Sequence, residues 1–317
     1  MLYAYRPDGP RLERLAHDAA LDDALWIDLY RPMPVQVAAV TALGIEVPTL
    51  ADMEEIEISN RLYRDNGIDY MTVVVPGTDI HGDQVTGPVT FILTQTRLVT
   101  VRHHNPRPFE TYPARAEKVG PGCGQASDIL LGLIEEIIGR QADLLEAVGK
   151  TLDAASRRVF HEDPGTDVGP LRDLLRSTGL ENERIGRVRL GLLTLERALG
   201  FLEQSPQPLP KKSASTIKAL RRDIAALSVH ADFLGTRVEM ASDVTLGIIN
   251  IGQSQTTKTV SVVAVIFMPP TLVASVYGMN FRIMPELDWS WGYPGALALM
   301  LASAVGAYLF FRWRRWL

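Results

Sequence analysis

The sequence predicts an α+β membrane protein with an N-terminal cytoplasmic α/β domain, a long helical stalk and two C-terminal transmembrane helices. Three observations support this class. Short segments rich in β-branched and aromatic residues occur within residues 1–125, where strands are expected. A four-three hydrophobic repeat lies in a proline-free stretch from Lys211 to Met268. Two charge-free segments of 23 residues, 259–281 and 289–311, follow near the C-terminus.

The composition excludes several classes of function. The chain of 317 residues has a formal net charge of −5, and this acidic balance argues against nucleic acid as a partner. Its single cysteine, Cys123, cannot form an internal disulfide, and the first residues lack the pattern of a signal peptide. The sequence has no Walker A loop, Gly-x-Ser-x-Gly elbow or Cys-x-x-Cys pair, so we expect neither an enzyme nor an organic cofactor.

Residues 1–125 are predicted to form the cytoplasmic α/β domain. Two helices are expected, at 34–44 and 48–58. Segments with the composition of strands lie at 24–30, 69–75, 88–94 and 97–103. The sequence does not determine the order of these strands in a sheet.

Residues 126–256 are predicted to form the helical stalk, with helices at about 127–160, 171–203 and from 213 onward. The third helix is expected to continue to about Asn280, because nothing interrupts its pattern before the first apolar segment. A break at Gly247 or Gly252 is the alternative. The residues of its hydrophobic repeat are Leu220, Ile224, Leu227, Ala231, Leu234, Val238, Ala241, Thr245 and Ile248.

The two apolar segments are long enough to cross a bilayer, which takes roughly 20 helical residues. We place the first transmembrane helix at 257–281, the outer loop at 282–291, the second helix at 292–311 and a basic tail at 312–317. So short a loop makes the helices an antiparallel hairpin, with both chain ends on one side. That side carries four basic residues, which the positive-inside rule assigns to the cytoplasm. They are Lys258, Arg312, Arg314 and Arg315.

These assignments place the chain in the inner (plasma) membrane as a multi-pass protein. The alternative is that the two segments are buried core helices of a soluble protein. Two spans are too few to form a pore alone, so transport would need several copies around an axis.

The end of the first span carries a distinctive motif, Gly278-Met279-Asn280, and Met284-Pro285-Glu286-Leu287 follows in the loop. With the two spans and the basic tail, these residues resemble the CorA family of magnesium channels. The resemblance is strong over the last 60 residues and more diffuse before them. It implies a homopentamer in which the first span lines the pore and Mg²⁺ is the substrate.

One face of the first span fits that implication. Small or uncharged residues recur there every three or four positions and end at Gly278. Tight helix packing through small residues is the alternative explanation. The predicted pore-lining residues are Thr257, Val260, Ala264, Met268, Thr271 and Ser275.

The predicted entrance suits a hydrated ion. Mg²⁺ releases its water reluctantly, so a ring of Asn280 amides with nearby backbone carbonyls can hold it without stripping the hydration shell. Glu286 and Asp288 would attract cations to the outer mouth, although an ordinary solvated loop would carry the same residues. Lys258 with the arginines of the tail would form a basic collar at the inner end, either as a gate or as a simple topological anchor.

The resemblance also implies closure by cytoplasmic Mg²⁺, bound between an acidic residue of the α/β domain and one on the stalk. The nearest matches are Asp79 or Asp83 with Asp223, and solvated surface acids are the alternative. Co²⁺ and Ni²⁺ are expected as further substrates.

Two other functions remain open at this stage. A ZntB-like zinc transporter would share the fold, but those proteins usually replace the central Met of the motif, which is present here as Met279. A membrane-anchored coiled-coil scaffold would carry no ions at all.

Overall fold

The structure, a computed structural model, describes most of the chain. The residues outside the description are 17–19, 162–168, 206–209, 281–283, 315 and 317, together with the side chains of 58, 159–161, 286 and 287. The predicted collar residue Arg315 and the side chain of Glu286 therefore lie outside the described residues. The chain divides into two compact units, Met1–Glu162 with Leu174–Ala241, and Asp163–Asp173 with Ser242–Leu317.

The first unit contains one mixed seven-stranded sheet. Its strands are β1 (Leu2–Asp8), β2 (Arg11–Arg14), β3 (Trp26–Tyr30), β4 (Leu62–Asp65), β5 (Ile68–Thr78), β6 (Gln84–Leu93) and β7 (Leu98–Arg102). Their order across the sheet is β2-β1-β3-β7-β6-β5-β4. Strands β3 and β7 run parallel, and the other paired strands run antiparallel. The four predicted strands are confirmed as β3, β5, β6 and β7.

The sheet is buried on both faces, because successive side chains of a strand point to opposite sides. Trp26 and Phe91 belong to the hydrophobic core that includes the long helices, whereas their neighbours Ile27 and Ile92 belong to a second core on the other face. Near-continuous apolar strands result, which explains why β-branched and aromatic composition identified them.

Four short helices accompany the sheet: α1 (Pro34–Thr41), α2 (Leu50–Glu54), α3 (Ile58–Arg61) and α4 (Pro108–Arg115). The single helix predicted over 48–58 is wrong. Thr49 caps α2 by accepting a hydrogen bond from the Asp52 backbone N–H, but Glu55 has extended backbone angles (φ −56°, ψ 139°), so the helix ends there.

A buried ion pair joins β3 to β7. The Arg102 Nη2 atom lies 2.9 Å from Asp28 Oδ2, and the two side chains are only 4% and 2% exposed. Thr100 also donates a hydrogen bond of 2.8 Å to Asp28, and Arg102 Nη1 donates one of 2.6 Å to Asn105 Oδ1. These bonds satisfy charges that would otherwise be costly to bury.

Three long helices follow: α5 (Ala126–His161), α6 (Gly169–Glu203) and α7 (Lys211–Tyr277). Helix α7 is continuous for 67 residues through Gly247, Gly252 and Pro269-Pro270, so the alternative of two helices is wrong. The hydrophobic repeat predicted in α7 is buried from Leu220 to Ala241, except that Leu227 is only partly buried.

The second unit contains the apolar part of α7, a 3₁₀ turn (Pro285–Asp288) and α8 (Gly292–Trp313). Helices α7 and α8 each contain a window long and apolar enough to cross a membrane, and only 6% of each window is buried. A core helix of a soluble protein would be mostly buried, so this exposure favours the membrane assignment.

Candidate functional site: the end of α7 and its exposed face

The motif Gly278-Met279-Asn280 lies where α7 ends. Helix α7 stops at Tyr277, and the Gly278 N–H still donates to the Ala274 carbonyl over 2.9 Å. A Cβ atom at Gly278 would lie only 3.0 Å from that carbonyl oxygen, which is tighter than an ordinary contact. Glycine therefore allows the chain to close the last turn before it leaves the helix.

Asn280 is exposed directly after this turn. Within the described part of the chain, its side-chain amide makes no hydrogen bond. The amide oxygen is thus available to an outside group, as a ligand for a hydrated ion must be.

The predicted pore-lining residues all lie on exposed positions of α7. The less exposed positions of the same segment form another stripe, which includes Lys258, Val262 and Ile266. Residues two apart in a helix are separated by about 200° around its axis, so Val260 and Ala264 lie opposite Val262. One face of α7 is thus partly covered within the second unit, and the predicted pore face is among its exposed sides.

Thr271 on this open face has its hydroxyl hydrogen already engaged. Its Oγ1 donates a hydrogen bond of 2.7 Å to the Phe267 carbonyl, one turn earlier. Toward the outside the hydroxyl therefore offers only lone pairs. Pro269 has no backbone N–H, so the carbonyl of Val265, an exposed residue of the same segment, lacks its usual helical donor. Such acceptors match the outward-pointing hydrogens of a cation's hydration shell.

Sequence reasoning identified Thr271 as a pore-lining residue but did not predict that its hydroxyl hydrogen is bonded to the Phe267 carbonyl. The signal was available, since a threonine in a helix commonly donates to the carbonyl four residues earlier. The engaged hydroxyl hydrogen of Thr271 is the part that the structure adds.

The loop after the motif contains the predicted cation-attracting acids. Asp288 ends the 3₁₀ turn and is exposed. Trp289, Trp291 and Tyr293 follow, with 74–77% of their surfaces exposed. Amphipathic aromatic rings in this state suit a membrane–water interface.

The predicted basic collar stays a prediction, but its first residue, Lys258, contacts the C-terminal tail. The Lys258 Nζ atom lies 5.5 Å from the centroid of the Trp316 ring, which is a cation–π distance. Arg312 and Arg314 are exposed at the end of α8. The start of the apolar part of α7 and the C-terminal tail therefore meet at one end of the hairpin, as its short loop requires.

The predicted regulatory acids lie in the first unit. Asp79 and Asp83 belong to the β5–β6 turn, where Asp79 Oδ1 accepts hydrogen bonds from the backbone N–H groups of His81 (2.8 Å) and Asp83 (2.9 Å). Desolvation alone would raise the pKa of the Asp79 carboxyl, but these hydrogen bonds lower it overall. Asp223 is exposed on α7.

The described residues contain no group of three or more His, Cys, Asp or Glu side chains that could hold a metal ion. The pairing of Asp79 or Asp83 with Asp223 stays a prediction.

Comparison with known proteins decides the family. A family model described as CorA-like Mg2+ transporter protein matches residues 22–315. The chain belongs to the CorA family. It is 37% identical over 323 residues to the magnesium transport protein CorA of Yersinia pseudotuberculosis, and the match covers 100% of both sequences.

Solved structures of CorA proteins show the same fold. The complete CorA magnesium transporter of Methanocaldococcus jannaschii matches with a TM-score of 0.76 at 19% identity, covering 98% of this chain and 97% of that one. The predicted fold class is confirmed: an N-terminal α/β domain, a long helix and C-terminal apolar helices. The cytoplasmic domain of ZntB from Vibrio parahaemolyticus also matches, with a TM-score of 0.56 at 12% identity over 78% of this chain and 97% of that one.

Proposed function

We propose that this CorA-family chain forms a homopentameric channel for Mg²⁺ across the inner (plasma) membrane, and that it also passes Co²⁺ and Ni²⁺. The observation that carries the proposal is the exposed face of α7, which ends at the free amide of Asn280. Full-length identity of 37% to a protein named for magnesium transport supports the choice of ion.

The transmembrane segments in this proposal are 257–281 and 292–311. Five copies of α7 surround the axis with Thr257, Val260, Ala264, Met268, Thr271 and Ser275 facing inward. Asn280 amides hold the ion at the outer entrance with its hydration shell in place, and Gly278 and Met279 shape that entrance. Glu286 and Asp288 raise the local cation concentration.

Both chain ends lie in the cytoplasm in this proposal, so Lys258, Arg312, Arg314 and Arg315 surround the inner end of the pore. A divalent cation then gains about 4.6 kcal/mol for each 100 mV of inside-negative potential, twice the value for a single charge. This energy suffices for entry without a nucleotide-driven step.

The direct test is Mg²⁺ flux into liposomes that contain the purified protein. We expect Asn280→Ala to abolish the flux while assembly is retained, because the entrance loses its ring of amide oxygens. Asn250→Ala, which changes an exposed asparagine elsewhere on α7, is the matched control and should conduct normally. Selective flux at the wild-type level in Asn280→Ala would contradict the entrance assignment.

The same liposomes distinguish the alternatives. Zn²⁺ flux exceeding that of Mg²⁺ would favour a ZntB-like transporter. The likeness to the ZntB domain shows the fold alone, and Met279 favours the magnesium channels. Absence of flux for every divalent cation would favour a scaffold.

Closure by cytoplasmic Mg²⁺ is tested separately. Asp223→Asn combined with Asp79→Asn should leave the channel open at internal Mg²⁺ concentrations that close the wild type. Unchanged closure would remove these residues from the sensor. Asp83→Asn then tests the neighbouring candidate.

A further inference from the structure

A polar groove between α4 and α5 in the first unit has no part in the proposed transport mechanism. Its volume is about 410 Å³, and Arg107, Arg115 and Arg140 contribute to its walls. Gly139 leaves the surface of α5 open at this point, since a Cβ atom there would meet nothing within 4 Å.

Most acidic groups of the groove already have protein partners. Glu136 Oε1 lies 2.6 Å from Arg115 Nη1 and also accepts a hydrogen bond of 2.9 Å from the Thr111 hydroxyl. Glu135 Oε2 accepts a hydrogen bond of 2.9 Å from the Gly120 backbone N–H. These carboxylates stabilise the junction of α4 and α5, and Glu136 also compensates the charge of Arg115.

Among the described residues, neither Arg107 nor Arg140 donates a hydrogen bond to a carboxylate of the groove. Within the described part of the chain, the Arg107 guanidinium makes no hydrogen bond or ion pair. Arg140 Nη1 forms an ion pair with Asp143 at 3.8 Å, a separation too long for a hydrogen bond, so this contact does not occupy the hydrogen-bond donors of Arg140. Each guanidinium has five donors in a planar fork that matches two oxygens of a phosphate group.

The same two arginines also line a second cavity of about 330 Å³, together with Thr78, Gln84, Asn105 and Glu110. Asn105 is held in place there, because its Oδ1 accepts from the buried Arg102 and its Nδ2 donates to Glu110. Arg107 and Arg140 thus stand between two cavities, and each cavity has a volume typical of small-molecule sites.

We propose that Arg107 and Arg140 bind the phosphate group of a small phosphate ester rich in hydroxyl groups, such as a sugar phosphate or a nucleotide. The arginines supply charge-assisted hydrogen bonds to the phosphate. The flanking polar groups, including the exposed carboxylate of Asp143, accept hydrogen bonds from the hydroxyl groups of the ligand. The site thereby links the cytoplasmic unit to a soluble metabolite, independently of the ion in the pore.

The test uses the full-length protein in detergent and isothermal titration calorimetry with three probes: inorganic phosphate, ribose 5-phosphate and AMP. We expect at least one of the two esters to bind more tightly than inorganic phosphate. Arg107→Gln and Arg140→Gln should each weaken that binding roughly tenfold or more, because each removes charge-assisted hydrogen bonds. Both side chains lie at the surface of the groove, so thermal unfolding should change little.

Arg6→Gln is the matched control, since Arg6 is an exposed arginine paired with Glu13 on the strands β1 and β2. It should leave ester binding within about twofold of wild type. Three results would overturn the proposal: no heat of binding for any probe up to about 10 mM, ester binding insensitive to both groove variants, or inorganic phosphate binding as tightly as the esters.

Discussion

Apolar side chains are arranged in opposite ways in the α/β domain and in the two apolar segments. In the domain, Trp26, Phe91 and Leu98 are fully buried, and the sheet has a hydrophobic core on each face. In the described part of 259–281 and 289–311, only Val262 and Phe311 are buried among the apolar residues, whereas Leu272 and Leu301 are 64% and 68% exposed. The domain supplies its own apolar surroundings, but the segments need them from outside the chain, as a lipid bilayer provides.

Apolar residues therefore contribute to stability differently in the two regions. Burial of apolar surface stabilises the domain by about 25 cal/mol per Å² removed from water. In the segments the same surface is already in an apolar solvent, so packing and polarity at the helix faces determine which sides meet other helices. Four pairs of substitutions test the comparison.

The largest effect is expected in the domain, at the buried ion pair. Asp28→Ala leaves the Arg102 guanidinium buried without its partner, which should lower the free energy of unfolding by about 3–5 kcal/mol. Chemical denaturation of the detergent-solubilised chain measures this. Glu13→Ala breaks the exposed pair with Arg6, where both side chains are about half exposed, and should cost at most about 1 kcal/mol. Equal losses in the two variants would mean that burial does not govern these ion pairs.

The next largest effect is expected in the second apolar segment. Leu301 and Ile56 are both exposed, at 68% and 87% of their surfaces, but only Leu301 should face an apolar solvent. Leu301→Arg should reduce membrane integration by about 2.5–3.5 kcal/mol, because the charge lies near the middle of α8. Ile56→Arg should change stability by less than about 0.5 kcal/mol. Quantitative membrane fractionation and unfolding curves provide the measurements, and normal integration of Leu301→Arg would argue against a transmembrane α8.

A smaller effect is expected where α4 packs closely against α5. A Cβ atom at Gly132 of α5 would lie 2.5 Å from the Tyr112 ring, so Gly132→Ala should destabilise the fold by about 1–3 kcal/mol. Gly139→Ala on the same helix meets nothing within 4 Å and should stabilise the chain by about 0.5–1 kcal/mol through helix propensity. Thermal unfolding compares the pair. A gain in both variants would show that α4 can move away from α5 at little cost.

The smallest effect is a pH dependence at His104. Burial lowers the pKa of His104, the charge of Arg102 lowers it further, and the hydrogen bond with the Val75 carbonyl partly opposes both. The unfolded chain then binds the proton more readily. Stability should be fully present above the ordinary histidine pKa of about 6.5 and should decline as the pH falls from there toward the lower folded-state pKa.

Unfolding curves at about pH 7.5 and 5.5 measure this decline on either side of the ordinary pKa. His104→Gln removes the titrating group and should lose part of the acid sensitivity. His230→Gln, at an exposed position of α7, is the control. Wild-type acid sensitivity in His104→Gln would exclude His104 as its source.

Much of this fold could be predicted because its signals are local. The heptad positions of α7 and the charge-free segments lie close together in the sequence, so periodicity and length identify them. Strand β2 was missed because Arg11–Arg14 is largely charged and becomes a strand only by pairing with β1. Helix α4 was missed because Pro113 lies inside it and reads as a breaker.

The candidate sites also differ in whether their residues are close together or far apart in the sequence. Gly278, Met279 and Asn280 are consecutive residues, so a motif identifies them. The phosphate groove depends on Arg107 and Arg140, which are far apart in sequence and line one groove only because α4 packs against α5. No periodicity in the sequence predicts the packing of α4 against α5.

In the proposed channel, one face of α7 lines a water-filled pore. Cys123 is the single cysteine and is buried, so Cys123→Ser provides a background without thiols. Single cysteines can then replace Ala264, Thr271 or Ser275 on the predicted pore face, and Leu272 or Val276 on the neighbouring face. The measurement is Mg²⁺ flux into liposomes before and after a membrane-impermeant, positively charged thiol reagent. We predict block at the first three positions and unchanged flux at the other two; equal block on both faces, or none at the first three, would contradict the account.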